Sequence, residues 1–150
     1  MTAEVTIEAI HALPDDLDLE LAKSAEEEGF SPVEWLREQW LDGTNQFSLP
    51  GEWLLAARID GRLVGICGIN QDPYDASGSM GRLRRLYVLP KSRRKGIGSR
   101  LVEEAVQASC EHFKGVNLRT LDDNSAVFFE SMGFSRIRGV EGVTHRRMNA

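Results

Sequence analysis

Leu83-Arg84-Arg85-Leu86-Tyr87-Val88-Leu89-Pro90-Lys91-Ser92-Arg93-Arg94-Lys95-Gly96-Ile97-Gly98-Ser99-Arg100-Leu101 reads as a strand, a basic turn and the start of a helix. Leu86, Tyr87, Val88 and Leu89 favour an extended backbone, Pro90 ends the ladder, and Ile97, Leu101, Ala105 and Ala108 recur at helical spacing. Gly96 and Gly98 therefore fall at the helix start, where unpaired backbone N–H groups and the positive end of the helix dipole favour an anion. A residue without a β-carbon lets that anion come close. From Arg82 to Arg100 there are eight basic residues and no acidic one, on a chain of net charge −5. The pattern points to a phosphate cradle; an exposed basic loop before an ordinary helix is the competing reading.

Two familiar cradles do not fit. A P-loop needs G-x-x-x-x-G-K-S/T, whereas here Lys95 precedes Gly96. A dinucleotide fingerprint needs a third glycine where Leu101 stands. The pattern that is filled is R/Q-x-x-G-x-G/A, by Arg93, Gly96 and Gly98, directly after a strand ending at Val88.

The 150 residues fit one domain, 1–150, able to bury about two-thirds of the unfolded surface. With 41% apolar and 27% charged residues, neither disorder nor a coiled coil is indicated. No apolar run approaches the ~20 residues of a membrane span, and Met1-Thr2-Ala3-Glu4 lacks the makings of a signal peptide. A cytoplasmic protein without membrane contact is expected. Cys67 and Cys110 have no metal-ligand spacing and are expected as buried thiols, with no metal site. Residues 1 to 42 hold twelve acidic and two basic side chains. That acidic segment beside a basic one argues against general nucleic-acid binding and suits an anionic cofactor with a cationic acceptor.

Working outward, Val5 to Ile10 alternate as a first strand, and Leu17, Leu21, Ala22 and Ala25 form a helical stripe ended by Gly29. Ser31-Pro32 predicts a second helix capped by the serine, with Val33, Leu36 and Trp40 inward and Asp42-Gly43 closing it. Trp53 to Ile59 and Arg62 to Ile69 read as a hairpin turned by Asp60-Gly61. Asn70 through Gly81 reads as a polar loop. The helix after the cradle is expected to reach about Phe113, followed by a strand from Val116 to Thr120 parallel to the organising strand. Asp122 to Ser125 offer caps for a short helix ending at Gly133, and Phe134 to Ile137 with Val143 to Met148 close as a hairpin.

With this element order, the Arg93-Gly96-Gly98 turn, and Ser125-x-x-x-Phe129-Glu130-Ser131-Met132-Gly133-Phe134, the chain resembles the GNAT-type N-acetyltransferase superfamily over nearly its whole length. The resemblance implies an α/β fold: a mixed, mostly antiparallel, twisted sheet of about seven strands, helices on both faces, splayed between strands 4 and 5. It implies acetyl-coenzyme A as cosubstrate. Backbone groups of Leu86 and Val88 would bind the pantetheine and thioester carbonyl, and Arg93, Arg94, Lys95, Gly96, Ile97, Gly98 and Ser99 the pyrophosphate. Asn124 and Phe129 would flank the sulfur end. Expected partners are a small-molecule or peptide amine acceptor, with room for a homodimer, and neither nucleic acid nor membrane.

The chemistry so implied is attack of a neutral amine on a thioester, which needs a base for the amine and a donor for the developing oxyanion. Many members of the family place a tyrosine where Phe129 stands, so the usual acid for the thiolate is missing. Tyr87, Glu52 and Asp72 are the candidates left to move protons; His145 could reach the same cleft, and Tyr74 lies in the polar loop. The absence of that tyrosine also supports an alternative, a non-catalytic acyl-coenzyme A binding or sensing domain.

Overall fold

A computed structural model describes residues 4–149, the side chains at 18 and 19 excepted; the Met1–Ala3 part of the N-terminal reading lies outside it. The strands are β1 (Val5–Ala9), β2 (Trp53–Ile59), β3 (Arg62–Gln71), β4 (Met80–Val88), β5 (Gly115–Leu118), β6 (Ser135–Arg136) and β7 (His145–Met148). The helices are α1 (Lys23–Glu27), α2 (Pro32–Asp42), α3 (Ile97–Ser109) and α4 (Asp123–Ser131). One seven-stranded sheet has the order β1-β2-β3-β4-β5-β7-β6, antiparallel except for the β4–β5 pair. This is the mixed, mostly antiparallel sheet that the resemblance implies.

Local chemistry explains the elements. Asp60 (φ 50°) and Gly61 (φ 80°) both adopt left-handed conformations, giving the mirror-image turn whose twist matches a right-twisted hairpin. Pro32 opens α2, whose missing N–H would have had no partner there anyway. Gly43 ends α2 at φ 82°, its N–H returning to the Trp40 carbonyl. Asp122 caps α4, its carboxylate accepting from the Ser125 N–H at 2.9 Å.

α3 covers one face of the sheet: a β-carbon at Gly65 would lie 3.1 Å from Leu101. α4 lies beside it, for Arg147 bonds both Glu103 of α3 and the Met132 carbonyl that ends α4. On the opposite face, Tyr87 reaches Ser24 and stacks on Phe30, and Arg85 reaches Gln39 of α2. Leu54, Ala56, Ile66, Leu101 and Val102 fill the two interiors.

Several boundaries differ from expectation. The first helical stripe begins as a π-helical segment, Leu17–Ala22, before tightening into α1. Ser31 makes no side-chain cap, and instead its carbonyl accepts from Trp35. β3 extends to Gln71 and β4 starts at Met80, because Asp72 N–H to Met80 carbonyl continues the ladder into the segment read as loop. α3 stops at Ser109, where Phe113 N–H and the Ser109 hydroxyl turn back on the last carbonyls. β5 ends at Leu118, short of Thr120, and the closing hairpin pairs only Ser135 and Arg136 with Arg146 and His145. Cys110 is half-buried where both thiols were expected inside.

Candidate active site

The site is a wedge in the sheet. β4 pairs with β5 at Met80–Gly115, Gly81–Val116 and Arg82–Asn117 and no further, so Leu83 to Val88 continue without a neighbour on that side. Arg85 takes φ 64°, and the register jumps from Ile66–Tyr87 to Gly68–Arg84, leaving Arg85 and Leu86 opposite Cys67 alone. This β-bulge turns backbone groups out of the ladder at the widest part of the wedge.

Beyond Val88 the chain makes a short 3₁₀ turn, Pro90–Ser92, then passes through Arg94 (φ 63°) and Gly96 (φ 77°) into α3. A β-carbon at Gly96 would meet nothing within 4 Å, so conformation, not crowding, calls for glycine there. Ile97 buries its side chain and offers the site only its N–H; Gly98 and Ser99 follow with N–H groups that have no preceding turn to bond. Gly98 looks across the wedge: a β-carbon on it would lie 3.7 Å from the Phe128 ring and 3.9 Å from Val88. Arg94 and Lys95 are exposed beside it.

Arg93 behaves differently. Its Nε donates to the Val88 carbonyl at 2.9 Å, its two Nη groups hold the Glu28 carboxylate at 3.0 and 2.7 Å, and its guanidinium lies over the Tyr87 ring. The Tyr87 hydroxyl donates to the same carboxylate at 2.5 Å. Arg93 first and Tyr87 second hold the Glu28 carboxyl below the ordinary glutamate range. The Arg93 side chain thus braces the turn against Glu28, at the end of α1, and leaves the side chains of Arg94 and Lys95 as the turn's exposed cations.

The three candidates for proton movement are not brought together. Tyr87 lies among Ser24, Glu28 and Phe30, with burial and the neighbouring Glu28 carboxylate raising the phenol above its usual value. Glu52 accepts from the Leu49 and Gln71 N–H groups. Asp72, fully buried, accepts from Tyr74 N–H and Asn117 Nδ2 and stands 3.6 Å from Arg82. Five residues of strand, roughly 16 Å, separate Arg82 from Tyr87. His145 is buried between Thr144 and Glu130. Asn124 is exposed in the first turn of α4, while Phe129 is nearly buried and meets Phe128 and Phe134 edge-on. Phe128 is the aromatic that faces Gly98 at the turn. Among the described residues no group of three or more His, Cys, Asp or Glu is placed to hold a metal ion, and no helix is long and apolar enough to cross a membrane.

Residues 50–136 match the family model described as Acetyltransferase (GNAT) domain. The chain belongs to the GNAT acetyltransferase family. Its fold is shared with the crystal structure of a protein from Exiguobacterium sp. 255-15, provisionally assigned as an acetyltransferase, at 26% identity and TM-score 0.84, covering 97% of this chain and 93% of that one. The GNAT family N-acetyltransferase YhbS of Escherichia coli, solved with CoA, matches at 20% identity and TM-score 0.69 over 100% of this chain and 84% of that one. The PaiA N-acetyltransferase of Thermoplasma acidophilum, solved with coenzyme A, matches at 19% identity and TM-score 0.69, covering 96% and 99%. No curated protein sequence matches.

Proposed function

We propose that this GNAT protein transfers an acetyl group from acetyl-coenzyme A to an amine. The observation that carries the reading is the continuity of wedge and turn: six residues of β4 without a β5 neighbour, a bulge at Arg85, and a left-handed entry into α3 with space at Gly96. A coenzyme fits such residues. Its diphosphate would meet the N–H groups of Ile97, Gly98 and Ser99 with Arg94 and Lys95 beside them, and its amide-bearing arm would lie along Leu86 to Val88.

When bound, acetyl-coenzyme A supplies an acyl thioester, so that the amine nitrogen gains a C–N bond, the C–S bond breaks, and the amine's proton ends on the released thiol. The protein's part is to hold the amine neutral and aimed, and to give the carbonyl oxygen a donor. The bulge at Arg85 and Leu86 frees backbone N–H for that donation. Tyr87, Glu52 and Asp72 are each committed to partners that fix the fold, which favours water as the carrier of the amine proton.

Phe129 supports one other reading, a domain that binds the acyl-coenzyme A and does not turn it over, since a phenyl ring cannot protonate a thiolate. Calorimetry with acetyl-coenzyme A, followed by thiol release with a panel of amines, tests both. Binding with turnover of at least one amine is expected; binding with none would favour the sensor, and no binding would end both readings.

A further inference from the structure

Arg82, Arg84 and Arg85 extend from β4 just before the segment proposed to hold the thioester, and their surroundings do not satisfy them. Among the described residues, the buried side-chain atoms without a hydrogen-bond partner are Asn45 Nδ2, Asn70 Oδ1, Arg82 Nη1, Arg84 Nε and Arg85 Nε. They are neighbours. Asn70 pairs with Arg82 and Gly68 with Arg84 across the β3–β4 ladder, placing these side chains on the α2 face of the sheet. Phe47 packs over Gly68, Asn45 Oδ1 accepts from the Phe47 N–H, and Asn45 N–H donates to the carbonyl of Gln39, whose side chain holds Arg85. Four of the five orphans are donors. Buried donors left unmet are costly, so the group that belongs there presents acceptor oxygens.

Charge gives the same answer. Arg82 and Arg84 share one carboxylate, Asp72, which is already engaged by Asn117 and by Tyr74 N–H and lies 3.6 Å from Arg82, while Arg85 is held by Gln39. Burial, then Arg82 and Arg85, bring the Arg84 guanidinium down to about 10. Arg119 adds a further positive charge near Arg82, and Arg146 reaches Asn117. Three acids of the early segment are engaged elsewhere: Asp16 bonds Arg58, Glu20 bonds Arg62 and Glu28 bonds Arg93.

We propose that the acceptor amine carries an oxyanion, a carboxylate or a phosphate, bound by Arg84 and Arg85 on the α2 side of the wedge, with Trp35 and Asn70 bordering it. The inference rests on the acetyl-transfer reading. Bidentate guanidinium–oxyanion bonds would fill the empty Nε positions, and the unpaired Asn70 Oδ1 can accept an N–H from the amine itself. Trp35, half exposed and 5.8 Å from the Arg85 guanidinium, is placed to cover the ligand.

The test uses the intact protein. Acetyl-coenzyme A binding is measured first by calorimetry. Thiol release is then followed for α-, β- and γ-amino acids paired with their carboxamides, for phosphoethanolamine paired with ethanolamine, and for diamines. We expect kcat/KM for the best oxyanion-bearing amine to exceed its neutral partner by about tenfold or more. Carboxylate and phosphate arms tell which oxyanion is preferred. Arg84→Gln should shrink that ratio to below about threefold with acetyl-coenzyme A affinity unchanged, Arg85→Gln should shrink it as well, and Arg84→Lys should restore part of it. Preference for neutral amines or diamines, or turnover of no oxyanion-bearing amine by a protein that binds acetyl-coenzyme A, overturns the inference and leaves the cofactor reading standing. A wild-type ratio that survives both glutamine variants overturns the assignment to these arginines. Absence of acetyl-coenzyme A binding removes both proposals.

Discussion

Replacing Gly96 with aspartate places a carboxylate at the mouth of the phosphate turn without any steric collision, since a β-carbon there meets no atom within 4 Å. Two effects then separate. The left-handed φ of 77° penalises any side chain, by about 1–2 kcal/mol for an ordinary residue and less for Asn or Asp. Gly96→Asn carries that cost and no charge. For a carboxylate about 5 Å from a phosphate, Coulomb's law gives about 0.8 kcal/mol in water and about 3.3 kcal/mol at an effective dielectric near 20. Two phosphates at that distance double the aqueous figure to about 1.7 kcal/mol, so a weakening of about fifteenfold is the expected charge effect. Acid at a helix start stabilises the helix, so lost affinity in Gly96→Asp would not reflect unfolding. Calorimetric titration of acetyl-coenzyme A into both variants at matched salt reads the difference directly. Affinities within twofold of each other would refute the placement of the diphosphate on this turn.

Glu28→Gln should cost little at neutral pH, at most about 1 kcal/mol given that Glu28 is partly exposed, but it should flatten the acid limb of stability. The Glu28 carboxyl is depressed in the fold from an ordinary value of 4.5, so its contribution is complete above that value and is lost as pH falls through the lower folded one. Urea unfolding across that range should therefore fall more steeply for the wild type than for the variant; equal slopes would refute the brace. Gly68→Ala places a β-carbon 2.5 Å from the Phe47 ring and should lower Tm by several degrees, from about 1–3 kcal/mol of overpacking, with Phe47→Leu recovering part of the loss. An unchanged Tm in the single variant would contradict the contact. Burial pushes the Cys67 thiol up to about 12, so iodoacetamide should label Cys110 alone in the native protein and both cysteines in urea, as mass spectrometry would report. Native labelling of Cys67 would contradict its burial.

What the sequence revealed were the features carried by local chemistry. Asp60-Gly61 announced its hairpin, Gly43 its helix end, and Arg93-Gly96-Gly98 the turn, because turn and cap residues act through their own backbone. The bulge at Arg85 left no such mark: nothing about an arginine announces a positive φ, which is imposed here by the register β3 demands on either side. Likewise Arg82, Arg84 and Arg85 were counted with the basic turn, since sequence gives charge and not the face a strand presents after a bulge. Arg93 was legible as part of the motif, yet its side chain is captured by Glu28, a residue sixty-five positions away. The helix motif marks Phe129, but not the neighbouring Phe128 that faces Gly98 across the turn, a contact between α4 and α3 that sequence spacing does not carry.

The early divergence of β4 from β5 has an energetic corollary. Extending β5 by three or four residues alongside Leu83 to Val88 would add ladder bonds and cohesion, and would also seal the gap into which a peptide-like arm could lie along β4. The resting protein accordingly forgoes some robustness it has the material to build. A saturating ligand should return that deficit as a rise in melting temperature and as slowed amide exchange confined to the second half of β4.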